Sequence, residues 1–144
     1  MKTSTAQAQW QGGLKDGSGT FKGGSGTIEG PYSFPTRFEN ASGTNPEELV
    51  AAAHAACYSM ALSATLEKEG YAPKQVHTTA KVLLEFVDGA PEITTVELTT
   101  EAQIGGIDDS TFMEYAELAK KNCPISKLYK GATIKLEAKL LQPA

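Results

Sequence analysis

The segment from Asn45 to Gly70 constrains this chain more than any other. Asn45 is a good N-cap, Pro46 suits the first helical position, and Glu48 stands three residues after the cap, as in a capping box. Between Leu49 and Leu66 the only strongly polar side chain is His54, and Gly70 supplies the expected C-cap. A helix that is apolar nearly all round has to be buried on most sides. Its many alanines let another backbone approach closely. The pattern predicts a central helix, either wrapped by a sheet or packed against its own copy in a dimer.

The rest of the chain supplies the sheet. Residues 8 to 40 read as a glycine-punctuated β-meander, with Ala8-Gln9-Trp10-Gln11, Gly19-Thr20-Phe21-Lys22 and Gly26-Thr27-Ile28-Glu29-Gly30 as its runs. Tyr32 to Phe38 extends it as strand, with Pro35 marking an edge or an end. Gln75–Phe86 and Glu92–Ala102 are two further strands around an Asp88-Gly89 turn. The second of these alternates at Ile93, Val96 and Leu98 with one slip. Asp108-Asp109-Ser110 opens a helix running to about Asn122, with Phe112, Tyr115, Ala116, Leu118 and Ala119 on one side. A short helix spans Ile125 to Tyr129, and Thr133–Leu140 closes the chain as a strand. The outline is α+β in one domain over residues 1–144, which suits the chain's length.

Composition excludes several roles. A net charge of -4 without Lys/Arg clusters argues against nucleic acid or an anionic membrane as partner. No apolar run is expected to approach the ~20 residues of a membrane span. The first residues carry no secretory apolar stretch, so a cytoplasmic location is expected. There, two cysteines are more often reduced and reactive than a structural bridge. They stand at Cys57 and Cys123, and no CxxC pair exists, which excludes a zinc ribbon and a thioredoxin-type motif.

Each cysteine taken alone is ambiguous. A thiol reacts as its thiolate and needs a nearby positive charge. Within its own helix Cys57 has only His54 to offer one, a turn earlier on roughly the same face; otherwise Cys57 is a small core residue. Cys123 precedes Pro124 and could cap the short helix that follows, where the helix dipole favours a thiolate; equally, it could simply occupy a helix junction. His77, on a strand between polar neighbours, reads as a surface residue. Tyr58 and Met60 read as packing residues.

Three segments together resemble the OsmC/Ohr family of organic hydroperoxide reductases, in its OsmC branch. They are Tyr32-Ser33-Phe34-Pro35-Thr36-Arg37-Phe38-Glu39, Gly43-Thr44-Asn45-Pro46-Glu47-Glu48-Leu49 leading to Ala55-Ala56-Cys57, and Asn122-Cys123-Pro124-Ile125-Ser126-Lys127. Trp10-x-Gly12 fits the same branch. The resemblance implies an OsmC-like fold, with antiparallel sheets wrapped around long buried helices in an intertwined homodimer. It implies a cysteine peroxidase that uses no metal, haem or other cofactor. Cys57 matches the peroxidatic cysteine and Cys123 the resolving one. Arg37 matches the arginine that lowers the thiolate pKa and binds the peroxide. Glu47 matches the carboxylate that orients it. The implied partners are a hydroperoxide, organic or hydrogen peroxide, and an external dithiol resembling a lipoyl group more than glutathione.

The residues agree with these roles. Glu48 has the capping position, which leaves Glu47 free to pair with Arg37. Glu47 and Cys57 are ten residues apart on one helix, about 15 Å at ~1.5 Å per residue. An arginine held by Glu47 would stretch far to reach Cys57 of the same chain. Arg37 and Glu47 of one subunit are therefore expected to serve Cys57 and Cys123 of the other. The main rival is a cysteine hydrolase using Cys57 with His54 or His77, but no nucleophile elbow or triad spacing supports it.

Overall fold

The computed structural model describes residues 1–142, and Cα packing divides them into two compact units, Met1–Leu49 and the chain from Val50 onward. In the first unit, β1 (Ala6–Gln11), β2 (Ser18–Gly23) and β3 (Glu29–Tyr32) form the antiparallel meander read from the glycines. Gly19 lies opposite both Trp10 and Tyr32. A Cβ there would come within 2.7 Å of each ring, so glycine is the residue that lets the two aromatics close over the strand. Their ring centroids are 5.4 Å apart.

The next segment departs from expectation. Phe34–Phe38 is a short helix, α1, and not a strand. Ser33 is its N-cap and forms a capping box with Thr36: the Thr36 N–H donates to Ser33 Oγ at 3.4 Å, and the Ser33 N–H donates to Thr36 Oγ1 at 2.9 Å. Pro35 sits in the first turn, where its missing N–H costs nothing. Asn45 then serves two helices at once. Its Nδ2 donates to the Thr36 carbonyl of α1 at 2.9 Å. Its Oδ1 accepts from the N–H of Glu48 at 2.9 Å and so caps α2 (Pro46–Lys68).

The long helix ends as its sequence predicts. Gly70 takes φ +90°, and the Tyr71 N–H returns to the Leu66 carbonyl at 2.9 Å. Its burial differs from expectation. Within the chain only one stripe, His54, Tyr58, Leu62 and Leu66, is fully buried, while Ala52, Ala53, Ala56, Met60 and Ala64 are exposed. Tyr58 packs as expected, and Met60 does not. By length and composition alone α2 could cross a membrane, with an 18-residue window of mean hydropathy 1.4, which corrects the expectation that no apolar run approaches that size. The core helix of a folded domain meets the same criterion, and the buried stripe of α2 forms part of the second unit's core.

That unit contains β4 (Gln75–Val87) and β5 (Ala90–Gln103), a hairpin turning at Asp88 and Gly89, whose φ values are +51° and +81°. The slip in the alternation of β5 is a β-bulge: Leu83 faces Thr95 and Leu84 faces Ile93, leaving Thr94 as the extra residue. The bulge keeps Val96, Leu98 and Ala102 on the core face. Helix α3 (Asp109–Asn122) starts at the Asp108 cap, whose carboxylate accepts from Thr111 N at 2.7 Å and is held below its usual pKa by that contact. It buries Phe112, Ala116 and Ala119; Leu118, expected on the same side, is exposed. Helix α4 (Pro124–Leu128) follows, and β6 (Thr133–Leu141) pairs with β5 in parallel. This corrects the wholly antiparallel expectation. The α3–α4 crossover returns the chain in the same direction, as a parallel pair requires. A run of hydroxyls crosses the core from α2 to the sheet, with Ser59 Oγ 2.8 Å from Thr78 Oγ1, and Thr78 Oγ1 2.9 Å from Thr100 Oγ1.

Candidate active site

Cys57 lies in the middle of α2, and Cys123 occupies the joint between α3 and α4. The joint is held by backbone hydrogen bonds on both sides. The Cys123 N–H donates to the Ala119 carbonyl at 2.9 Å, and its own carbonyl accepts from Lys127 N at 3.1 Å. Pro124 permits the kink, since it needs no hydrogen-bond partner at the first position of α4. Cys123 is fully buried and Cys57 partly so, and both are free thiols. Their sulfurs are 3.1 Å apart, within hydrogen-bonding distance. A disulfide needs ~2.05 Å between sulfurs, about 1 Å less than this separation.

The helix terminus serves the other cysteine from the one expected. Cys123 sits at the N-cap of α4, but its side chain makes no capping hydrogen bond. The backbone N–H of Ile125, in the first turn of α4, is the one influence that favours the Cys57 thiolate. It is outweighed. Burial first, then the thiol of Cys123, push the Cys57 thiol above its ordinary pKa. None of these influences is a positive charge. Nor does His54 supply one: burial lowers its pKa, so it is neutral near pH 7, and its Nε2 is 2.8 Å from Ser126 Oγ. Lys120 is turned away, to Glu117 at 3.2 Å and the Ile134 carbonyl. His77 is exposed, as expected.

In the first unit, Arg37 and Glu47 form a two-pronged ion pair, Nε to Oε1 at 3.1 Å and Nη2 to Oε2 at 3.0 Å. Arg37 comes from the last turn of α1 and Glu47 from the first turn of α2, the two ends that Asn45 ties together. The Glu47 carboxylate is buried, and the guanidinium also lies 5.2 Å over the Phe38 ring. Glu48 is exposed, and its N–H takes the cap. Sequence reasoning did not find the His54–Ser126 pair or the Tyr58 hydroxyl, which donates to the Ala116 carbonyl at 3.0 Å. His54 as the lone polar residue of an apolar helix was the available signal, but its partner lies 72 positions away.

Two free thiols thus lie 3.1 Å apart, on helices whose buried residues share one core with the mixed sheet. The family described as OsmC-like protein matches residues 39–138. Peroxiredoxin OsmC of Escherichia coli (strain K12) is 48% identical over 126 residues, covering 87% of this chain and 88% of that one. This chain belongs to the OsmC family. Among solved structures it is similar to the organic hydroperoxide resistance protein OhrB of Bacillus subtilis, with TM-score 0.71 and 27% identity over 94% of this chain and 98% of that one. An organic hydroperoxide resistance protein from Elizabethkingia anophelis matches with TM-score 0.74 and 27% identity, over 98% of this chain and all of the other.

Proposed function

We propose that this protein is a thiol-dependent hydroperoxide reductase in which Cys57 attacks the peroxide and Cys123 resolves the product. Membership of the OsmC family and 48% identity to a peroxiredoxin support the enzyme class. The observation that carries the assignment of residues is the 3.1 Å approach of the two free thiols. The Cys57 thiolate attacks one oxygen of ROOH, the O–O bond breaks, and the alkoxide takes a proton and leaves as ROH. Cys57 is then a sulfenic acid. The Cys123 sulfur attacks it, a Cys57–Cys123 disulfide forms, and hydroxide leaves with the thiol proton as water. An external dithiol returns both thiols by exchange and becomes a disulfide itself; a lipoyl dithiol is the proposed donor. The apolar surroundings of Cys57 favour organic peroxides, with hydrogen peroxide as a smaller substrate.

This chemistry needs a cation, because Cys57 in its own surroundings is pushed toward the unreactive thiol. Arg37 is that cation, oriented by Glu47. Ten helical residues separate Glu47 from Cys57, a rise of ~15 Å, so Arg37 and Glu47 of one subunit act on Cys57 and Cys123 of the partner. The chain works as a homodimer built from one OsmC-type domain per subunit, located in the cytoplasm. The exposed alanine face of α2 offers close helix approach for such a dimer.

Titration with cumene hydroperoxide under anaerobic conditions tests the function. Two thiols per chain should disappear with one equivalent of peroxide, with no crosslink between chains on a denaturing gel. No loss at stoichiometric peroxide would reject it.

A further inference from the structure

His54 is fully buried, and the thiol chemistry above makes no use of it. Its Nε2 is 2.8 Å from Ser126 Oγ, its ring stands edge-on to Tyr129 at 5.3 Å, and its Nδ1 is buried without a hydrogen-bond partner among the described residues. A buried polar atom left unpaired destabilises a fold unless its group has a task. Ser126 is itself buried and lies in the first turn of α4, whose N-cap residue is Cys123, with its sulfur 3.1 Å from that of Cys57; the Ile125 N–H of that turn favours the Cys57 thiolate. Helix α4 is only five residues long and cannot hold its place by itself. It is tied to α2 at its first turn by Ser126 to His54, and at its end by the Tyr129 hydroxyl, which donates to the Val50 carbonyl at 3.3 Å. Cys57 stands one turn after His54 on the same helix.

We propose that His54 and Ser126 are a positioning pair that holds the first turn of α4 against α2, so that the Ile125 N–H stays aimed at the Cys57 sulfur. The imidazole carries its proton on Nε2 and donates to Ser126 Oγ. This leaves a lone pair on Nδ1 unsatisfied, where the other tautomer would leave an N–H so, the rarer condition in folded proteins. When Cys57 ionises, the aimed N–H strengthens into a charge-assisted hydrogen bond. Without the pair the first turn of α4 drifts, and the thiolate loses its donor.

The inference rests on Cys57 being the reacting thiol, so its test reads the thiol and not turnover. In a Cys123→Ser background, the rate of Cys57 alkylation by iodoacetamide is followed against pH. His54→Phe keeps the ring and removes the hydrogen bond; Ser126→Ala removes the hydroxyl at almost constant volume. Each should slow alkylation at pH 7 by about threefold to tenfold, the loss expected for one weakened charge-assisted hydrogen bond, and leave the limiting rate at high pH unchanged. The double variant should be no slower than the slower single, since both remove one contact. His54→Gln, which can place an N–H where Nε2 was, should stay within about twofold of the parent. Leu66→Ala, a core deletion on the same buried stripe, controls for general loosening and should titrate like the parent. Unchanged profiles in His54→Phe and Ser126→Ala, or an equal change in Leu66→Ala, would overturn the inference. Should His54→Phe fail to fold, Ser126→Ala decides alone. If these effects hold while cumene hydroperoxide consumes no thiol in the unaltered protein, the peroxidase reading fails and the positioning of Cys57 stands.

Discussion

The Cys123 sulfur lies 3.1 Å from that of Cys57, at a joint fixed by backbone hydrogen bonds to both flanking helices. In the proposed reaction, resolution is therefore a local step. Cys57→Ser should lose all peroxidase activity. Cys123→Ser should keep the first attack, stall after one turnover, and collect sulfinic acid on Cys57 under excess peroxide, read by mass spectrometry of the peptide. Sustained turnover by Cys123→Ser with a dithiol donor would show that another group resolves the sulfenic acid.

The surroundings of Cys57 raise its thiol pKa, through burial first and then Cys123. Removing the proposed cation should expose that tendency. Arg37→Ala should move the pH at which Cys57 becomes alkylatable above the ordinary thiol value and lower kcat/KM by at least about tenfold at pH 7, one pKa unit being worth ~1.4 kcal/mol. Arg37→Lys should recover only part of this, because a single ammonium cannot repeat the two-pronged contact with Glu47. Full recovery by lysine would contradict a role for the forked geometry.

Asn45 joins the end of α1 to the start of α2, and so connects the elements that carry Arg37 and Glu47. Asn45→Ala should lower unfolding stability by about 1–2 kcal/mol, the usual loss for an N-cap, measured by urea denaturation. It should also reduce peroxidase activity, whereas Asn45→Asp should keep the cap of α2 and lose only the bond to the Thr36 carbonyl. Equal stability of Asn45→Ala and the parent would show that the cap contributes nothing.

His54 is buried and its pKa is lowered by that burial. An unfolded chain protonates this imidazole near its ordinary value of 6.5, while the native chain resists until lower pH. Between those two points the unfolded state binds more protons, so stability falls as pH falls, by up to ~1.4 kcal/mol per pH unit. Above that window His54 adds no pH dependence. The melting temperature should drop more between pH 8 and pH 5.5 in the parent than in His54→Gln. Parallel curves would contradict it.

Several features were open to reading from local sequence. The caps at Asn45 and Gly70 bounded α2, because capping depends on neighbouring residues. The three-residue step from Ile93 to Val96 carried the bulge, because side-chain alternation has a period of two. The Ser33–Thr36 capping box was equally local, but the aromatic residues around Pro35 have strand propensity and obscured it. The parallel placement of β6, and the pairing of His54 with Ser126, depend on how the α3–α4 crossover packs, which no short window of sequence contains. The exposed face of α2 looked like core for a related reason: apolar composition says that a face needs covering, and not which molecule covers it.

The claim that the activating pair comes from the partner subunit is tested most directly with a mixed dimer. Subunits carrying Arg37→Ala and subunits carrying Cys57→Ser are coexpressed with different tags, and the dimer holding one of each is purified. If Arg37 acts across the interface, the intact Cys57 of the first subunit meets the intact Arg37 of the second, and one of two symmetric sites is restored. The mixed dimer should then show about half the peroxidase activity of the parent dimer, far above either variant alone. Activity no higher than that of the two parental variants would place Arg37 and Cys57 of one site in the same subunit and contradict the account.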